Sequence, residues 1–208
     1  IFYNTPARMK FLKKDIAEGS AAAAVVEKLA MAHPEISFKL LRDGQLKLHT
    51  PGDGKLLSAI HAVHSREVSD TLLPVDYTHG GVHVRGYVTK PAHCRGNRLL
   101  QNFFINQRYV KTRTAAAALE EAYKHSVMVG KFPGCFLDIG LAFHNVDVNV
   151  HPAKTEVRFT NEKAVYEAVY YGVKSALAGD GSLAQPQPAR KPVNPYVMDK
   201  KVQSPVQQ

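Results

Sequence analysis

The pattern of hydrophobic and polar positions predicts a chain in which short strands and helices are interleaved. Apolar residues at helical spacing predict helices over residues 21–32, over 56–64, in a stretch that ends near residue 127, and after Asn161. Short alternating or continuous apolar runs predict strands at residues 36–41, 46–49, 73–78, 82–89, 102–106, 135–143, 146–150 and 156–159. Residues 1–3 have the character of the end of a further strand.

Helix-capping and turn-forming residues mark the ends of several of these elements. Ser20 is predicted to cap the first helix, and Thr112 or Thr114 the third, because a side-chain oxygen accepts a hydrogen bond from a free backbone N–H. Asp43 and Gly44 form a strong hairpin signal between two strands. The apolar stripe of the last helix consists of Val165, Val169, Val173 and Leu177.

The bulk composition adds a packed core and a strong positive charge to this picture. The chain has 208 residues, of which 45% are hydrophobic, which suits one domain or one domain with part of another. Lys and Arg number 27 against 18 Asp and Glu, a formal charge of +9. This surplus favours a polyanionic partner through phosphate contacts and counterion release, although a basic surface also serves solubility alone.

Cysteine spacing and the lengths of the apolar runs argue against several kinds of site. Cys94 and Cys135 show no metal-ligand spacing, and the apolar run around Cys135 predicts a core position for it. No run has transmembrane length and no signal peptide is recognisable, which fits a reducing cytoplasm and no membrane. Because Ile1 opens the chain within an apolar run, we expect an upstream part to precede it.

A lysine in the stretch NVHPAK, residues 149–154, is the first candidate for chemistry. Pro152 stiffens the turn between two predicted strands, so that Lys154 is presented as a point charge on a long stem, which suits a phosphate oxygen. An ordinary solvated loop lysine fits the same pattern. His151 has no partner at ligand spacing, so no metal or catalytic role is predicted for it.

A basic turn in the stretch FINQRYVKTR, residues 104–113, is the second candidate. Arg108, Lys111 and Arg113 cluster between a predicted strand and a predicted helix, whose N-terminal amides add donors for an anion. The cluster suits contacts with a phosphate backbone, and it equally fits a solvated basic turn. A third stretch, NTPARMKFL at residues 4–12, is interpreted as a structural corner between a strand and a helix.

These three stretches, in this order and at these distances, resemble the MutL family of DNA mismatch repair proteins. The matching sequences are FYNTPAR at residues 2–8, KFL at 10–12, INQR at 105–108 and VDVNVHPAKTEVRF at 146–159. The last of these is the most specific. The resemblance covers roughly residues 1–177, and the remainder matches only as a linker of similar character.

The resemblance implies an α+β fold in which helices pack on a mixed β-sheet. In this family a GHKL-type ATPase domain is followed by a transducer domain, a ribosomal-protein-like fold with a left-handed βαβ crossover. On this mapping residues 1–50 hold the C-terminal remnant of the ATPase domain and its junction, and residues 51–178 form the transducer domain. Residues 179–208, rich in Pro, Gln and Gly, are predicted to be a disordered linker.

The resemblance also implies a nucleotide-dependent role. Lys154 corresponds to a transducer lysine that contacts the γ-phosphate of ATP and so reports the nucleotide state of the other domain. Asn149 and Pro152 are expected to shape its loop. ATP and Mg²⁺ are the expected cofactors of the intact family protein. Because the catalytic Glu, the Mg²⁺-binding Asn and the ATP-lid motifs of the family are absent from this chain, we expect it neither to hydrolyse nor to hold ATP alone.

DNA binding is the second implied role. Arg108 corresponds to a position implicated in DNA binding, and Lys111 and Arg113 extend that patch. We expect binding that is largely independent of DNA sequence. The implied protein partners are a mismatch-recognition protein of the MutS type, a downstream nuclease or helicase, and a second copy of the intact protein, in a bacterial-type cytoplasm near the nucleoid.

Two other interpretations remain open at this point. One is a standalone basic nucleic-acid-binding module of similar fold with no nucleotide role, which would need no lysine in the NVHPAK loop. The other is a fragment of a topoisomerase-type ATPase. That family presents its lysine in a Gln-Thr-Lys loop, whereas this chain has Pro152, Ala153 and Lys154.

Overall fold

The computed structural model describes residues 4–148 and 155–179. The helices are α1 (Pro6–Met9), α2 (Asp15–Ala32), α3 (Leu56–His64), α4 (Arg66–Ser69), α5 (Arg113–Tyr123) and α6 (Glu162–Gly179). The strands are β1 (Lys39–Arg42), β2 (Gln45–His49), β3 (Leu72–His79), β4 (Val82–Thr89), β5 (Gln101–Ile105), β6 (Arg108–Val110), β7 (Cys135–Gly140), β8 (Val146–Asp147) and β9 (Arg158–Phe159).

A five-stranded mixed sheet forms the centre of the fold. Its strand order is β3-β4-β7-β5-β6, and every neighbouring pair is antiparallel except β5 and β7, which are parallel. Because a tight turn cannot join parallel neighbours, the chain adds β6 and passes through α5 between β5 and β7. The strand pairs β1–β2 and β8–β9 lie outside this sheet. The predicted α+β architecture with a mixed sheet is confirmed.

One face of the sheet is covered by α5 and α6, and this layer holds the larger hydrophobic core. Val84, Leu137 and Ile139 point into it from the sheet, and none of them is exposed. The predicted apolar stripe of α6 packs there, and its four members are buried: Val165, Val169, Val173 and Leu177. Burial of such large aliphatic side chains stabilises the fold by about 1.5–3 kcal/mol each.

The other face is covered by the end of α2 together with α3 and α4. Met31, Ile60 and Val68 pack there against Phe104 and Phe136 of the sheet. Residues on both sides of position 50 therefore share one core. The assignment of residues 1–50 and 51–178 to separate domains stays a prediction.

Most elements predicted from the sequence are found within a few residues of their predicted bounds, and α2 is the main exception. This helix begins at Asp15, six residues before the predicted start, and Ser20 is not its cap. The Ser20 hydroxyl donates to the carbonyl of Ile16 at 2.8 Å inside the helix. The first turn carries Asp15 and Glu18, which favour the helix dipole, but it has no apolar periodicity to mark it.

The caps of the last two helices are confirmed. The Thr112 hydroxyl accepts a hydrogen bond from the Ala115 N–H at 3.4 Å, so Thr112 and not Thr114 caps α5. The Asn161 side chain accepts one from the Ala164 N–H at 3.0 Å at the start of α6. Helix α5 ends at Tyr123, earlier than predicted, where the buried tyrosine hydroxyl donates to the carbonyl of Thr89.

Gly86 in β4 lies too close to β7 for any side chain. It has a φ of +135°, and a Cβ at this position would overlap the carbonyl oxygen of Phe136. We expect Gly86→Ala to lower the free energy of unfolding by about 3–5 kcal/mol, because the clash is with backbone and the conformation is strained. Urea unfolding would measure this. Gly96→Ala is the matched control, because a Cβ there meets no atom within 4 Å, and an equal loss in both variants would contradict the explanation.

Candidate functional site

The predicted basic cluster lies at the edge of the sheet, on β6 and the start of α5. Arg108, Lys111 and Arg113 are exposed, whereas Val110 and Thr112 between them are buried. This alternation anchors the segment in the core and leaves its three cations in solvent. Among the described residues, none of the three forms an ion pair with an acidic side chain. The structure thus leaves all three predicted cations exposed on one short segment.

A two-residue turn connects β5 to Arg108. Ile105 pairs with Arg108 across the hairpin, and the two residues between them, Asn106 and Gln107, have φ values of +48° and +67°. Positive φ at both positions is the geometry of a type I′ turn, which matches the twist of the two strands. The direction in which β6 leaves this turn determines where the cations lie.

The turn is also fastened to the end of β7. The Asn106 amide donates to the carbonyl of Leu141 at 2.9 Å and accepts from the Leu141 N–H at 3.0 Å. The Asn106 N–H donates to the carbonyl of Ile139 at 3.2 Å. The Gln107 N–H donates to Asp138 Oδ1 at 2.9 Å, so four hydrogen bonds hold two turn residues.

The residue that follows the predicted phosphate-binding loop is bonded to the basic cluster. Lys154, Asn149 and Pro152 lie outside the described residues. Thr155, which follows Lys154 directly, accepts a hydrogen bond from the Lys111 N–H at 2.6 Å. The residue that follows the candidate nucleotide loop in the sequence is thus bonded to the main chain of the candidate DNA patch. The two stretches are far apart in the sequence, and their spacing did not predict this contact.

A cavity of about 650 Å³ separates this corner from helix α2. One wall is α2, with Lys28 and Leu29, and the other includes Arg108, Tyr109 and Thr155. Lys28 donates to the side-chain oxygen of the fully buried Asn102, and its ammonium lies 5.3 Å from the ring centroid of Tyr109. Burial lowers the pKa of Lys28. No local motif marks Lys28, and sequence reasoning did not identify it.

His64, the last residue of α3, lies beside this lysine. Its ring centroid is 5.3 Å from that of Phe136. Its Nε2 is buried, and no described residue offers it a hydrogen-bond partner. The pKa of His64 is lowered to about 4, mainly by burial and to a smaller extent by the positive charges of Lys28 and Arg95. His64 is therefore neutral at physiological pH.

This lowered pKa predicts a loss of stability in mild acid. The unfolded chain takes up the proton near pH 6.5 and the folded chain only near pH 4, so the free energy of unfolding falls as the pH drops through that window. Because solvent partly screens the ring, we expect a loss on the order of 2 kcal/mol. His64→Phe should flatten the dependence of the urea midpoint on pH, whereas His144→Phe at an exposed position should not. An unchanged pH dependence in His64→Phe would contradict this assignment.

The described residues contain neither a cluster of metal ligands nor a membrane-spanning helix. Within residues 4–148 and 155–179, no group of three His, Cys, Asp or Glu side chains is placed to hold a metal ion. Over the same residues no helix combines the length and the apolar character needed to cross a membrane. Cys135 is fully buried, as predicted, and burial raises its pKa.

Comparison with known proteins identifies the family. The family model described as DNA mismatch repair protein, C-terminal domain, matches residues 60–178. The chain is 43% identical over 178 residues to the DNA mismatch repair protein MutL of Symbiobacterium thermophilum, and 46% identical over 178 residues to that of Agathobacter rectalis. The chain belongs to the MutL family of DNA mismatch repair proteins.

The matches also show how much of a MutL protein this chain corresponds to. The aligned region covers 85% and 86% of this chain but spans only 28% and 27% of the Symbiobacterium and Agathobacter proteins. The activity and partners of a whole MutL protein are therefore not established by the match.

Solved structures agree on the fold. The crystal structure of the N-terminal domain of a DNA repair protein has a TM-score of 0.64 at 22% identity, with 86% of this chain and 60% of that chain covered. The Aquifex aeolicus MutL ATPase domain complexed with ADP has a TM-score of 0.54 at 20% identity, with 81% and 54% covered. The mixed sheet and its helices are thus an arrangement shared with these two solved structures.

Proposed function

We propose that this chain is the part of a MutL-type mismatch repair protein that couples the state of a bound nucleotide to domain arrangement and DNA contact. The observation that carries the proposal is the 2.6 Å hydrogen bond from the Lys111 N–H to the carbonyl of Thr155. It joins the residue after Lys154 to the middle of the basic cluster. A change in the position of Lys154 is therefore transmitted along the main chain to the cations.

In this proposal Lys154 senses the γ-phosphate of ATP. An ammonium bound to a phosphate oxygen forms a charge-assisted contact, which is lost when hydrolysis removes that phosphate. Such a difference between two ligand states biases a two-state domain arrangement by about 1–3 kcal/mol. Asn149 and Pro152 shape the loop in the same proposal. ATP with Mg²⁺ is the expected cofactor of the intact protein, and the ADP complex of the Aquifex MutL ATPase domain supports the choice of an adenine nucleotide.

The DNA contact is assigned to Arg108, Lys111 and Arg113. Their exposure and their lack of acidic partners within the described residues leave their charges free for phosphate groups. They lie on an edge strand and at a helix start, not along a helix that would enter a groove. The proposed binding is therefore to the DNA backbone, independent of sequence and sensitive to salt.

The remaining parts of the proposal concern the whole protein. Mismatch specificity would come from a MutS-type partner, and the action on DNA from a downstream nuclease or helicase. Two copies of the intact protein would associate, in the cytoplasm at the DNA. These roles rest on membership of the family, because this chain spans under a third of the MutL proteins that it matches.

A sensor of the γ-phosphate distinguishes ATP from ADP. In the full-length protein we expect Lys154→Ala to weaken the affinity for a non-hydrolysable ATP analogue about tenfold and to leave ADP affinity unchanged, because only the former offers the γ-phosphate. Isothermal titration with both nucleotides measures this. Lys124→Ala, at an exposed lysine that follows the C-terminal end of α5, is the control. Equal losses for both nucleotides would rule out a sensor role. No loss for either, with DNA binding intact, would favour the standalone nucleic-acid-binding module.

The DNA patch makes a prediction about salt. We expect Arg108→Glu to lower DNA affinity and to reduce the slope of log affinity against log salt by about 1, since each phosphate contact releases about one counterion. Titrations at several salt concentrations measure this slope. Arg66→Glu is the control of equal charge change, on an arginine whose side chain is 82% exposed and away from the patch. If both variants changed the slope equally, net charge and not this patch would explain binding.

A further inference from the structure

We propose that Asn106 is the positioning residue for the Arg108 contact with DNA phosphate. The proposal rests on the DNA-binding role proposed above and adds a cause for it. Asn106 has no charge and contacts no phosphate in this view. It acts by fixing the turn from which Arg108 projects.

The side chain of Asn106 is fully used in fastening the turn. Both of its polar atoms bond the backbone of Leu141, at 2.9 Å and 3.0 Å, as a strand partner would. The amide thereby extends the pairing of β5 with β7 by one residue beyond Ile105. Asn106 is half-buried, and only Gln107 separates it from Arg108. A side chain so close to the arginine leaves little freedom for the direction of β6.

The backbone of the turn is held in a left-handed conformation at both Asn106 and Gln107. Left-handed φ values disfavour residues with a side chain, although asparagine tolerates them better than most. Gln107 has no such tolerance, and glycine would be the residue of choice at its position. Strained conformations of this kind persist where surrounding contacts over-determine them, and they cluster at functional sites.

A carboxylate beside the turn, that of Asp138, is already paired. Asp138 Oδ1 accepts from the Gln107 N–H, and its Oδ2 accepts from Arg85 Nε at 3.2 Å and from a terminal Arg85 nitrogen at 3.0 Å. The carboxylate that fastens the turn is thus neutralised from β4. Arg108 is left without an acidic partner in the part of the chain that the structure describes.

Fixing the turn raises affinity through pre-organisation. An arginine on a loosened turn must be ordered when DNA binds. The entropy lost in that ordering reduces the favourable free energy of the contact. Asn106→Gly removes both side-chain hydrogen bonds but still allows a positive φ, so it loosens the turn without forcing a new backbone conformation. We expect about a fivefold loss of DNA affinity from this substitution, equivalent to about 1 kcal/mol.

The test is a double-mutant cycle in the full-length protein, with DNA affinity measured by fluorescence anisotropy on one duplex at one salt concentration. Asn106→Gly should weaken binding about fivefold when Arg108 is present and leave it unchanged in an Arg108→Ala background, because a positioning residue acts only through the group that it positions. Asn97→Gly is the matched control. It removes one local side-chain bond, to the Leu99 N–H, in a different loop, and it should leave affinity unchanged.

Two further variants separate positioning from general loosening of the fold. Gln107→Gly relieves strain but keeps the Asn106 bonds, so stability should rise while affinity stays the same. Asn106→Ser retains a polar side chain, but that side chain is too short to form both bonds. If Asn106→Gly fails to unfold cooperatively in urea, Asn106→Ser replaces it in the same double-mutant cycle. The positioning role alone would be overturned by either of two results. One is a loss of DNA affinity from the Asn106 variant that adds to the loss from Arg108→Ala. The other is no loss from either Asn106 variant while Arg108→Ala weakens binding. An Arg108→Ala variant with unchanged affinity would overturn the DNA patch, and this proposal with it.

Discussion

The parallel pairing of β5 with β7 is the constraint on which the candidate site depends. Cys135, Phe136 and Leu137 of β7 have no exposure, because the strand is central and covered on both faces. Parallel neighbours end at the same edge of a sheet. The INQR turn follows β5, and the segment that leads into NVHPAK follows β7. Thr155, the residue after NVHPAK, therefore lies within hydrogen-bond distance of Lys111 in the basic cluster, although α5 and β7 separate the two residues in sequence.

The second face of the sheet ties the first fifty residues to the same corner. Lys28 reaches from α2 to Asn102 of β5 and lies over Tyr109 of β6. A half-buried ammonium is costly, which is why its pKa is lowered, and the buried Asn102 oxygen would lose its partner without it. The lysine therefore links the helix to the hairpin of β5 and β6, and Arg108 lies on β6. A displacement of α2 would therefore shift the turn before Arg108 and change the shape of the cavity between α2 and that turn.

Sequence patterns predicted the elements better than their meeting points. The bounds of α3 and β4 are those predicted, because both have clear periodicity and turn signals at their ends. The start of α2 was missed because its first residues, Asp15 to Ser20, have no apolar stripe to mark them. The candidate residues Arg108, Lys111 and Arg113 were visible as local charge. Lys28 and the bond from Lys111 to Thr155 were not, because contacts between distant segments leave no local pattern, and the roles of Lys154, Asn149 and Pro152 stay predictions.

The strength of the link between Lys111 and Thr155 limits what it does in the proposed function. One backbone hydrogen bond is worth about 1 kcal/mol net, which shifts a two-state equilibrium only about fivefold. The bond therefore cannot itself be the switch. In the proposed function the larger energy comes from the charge-assisted contact of Lys154 with phosphate, and the bond transmits the resulting displacement. For this to work the DNA side must be stiff, since a loose turn would absorb the displacement. The four hydrogen bonds that hold Asn106 and Gln107 to β7 supply that stiffness.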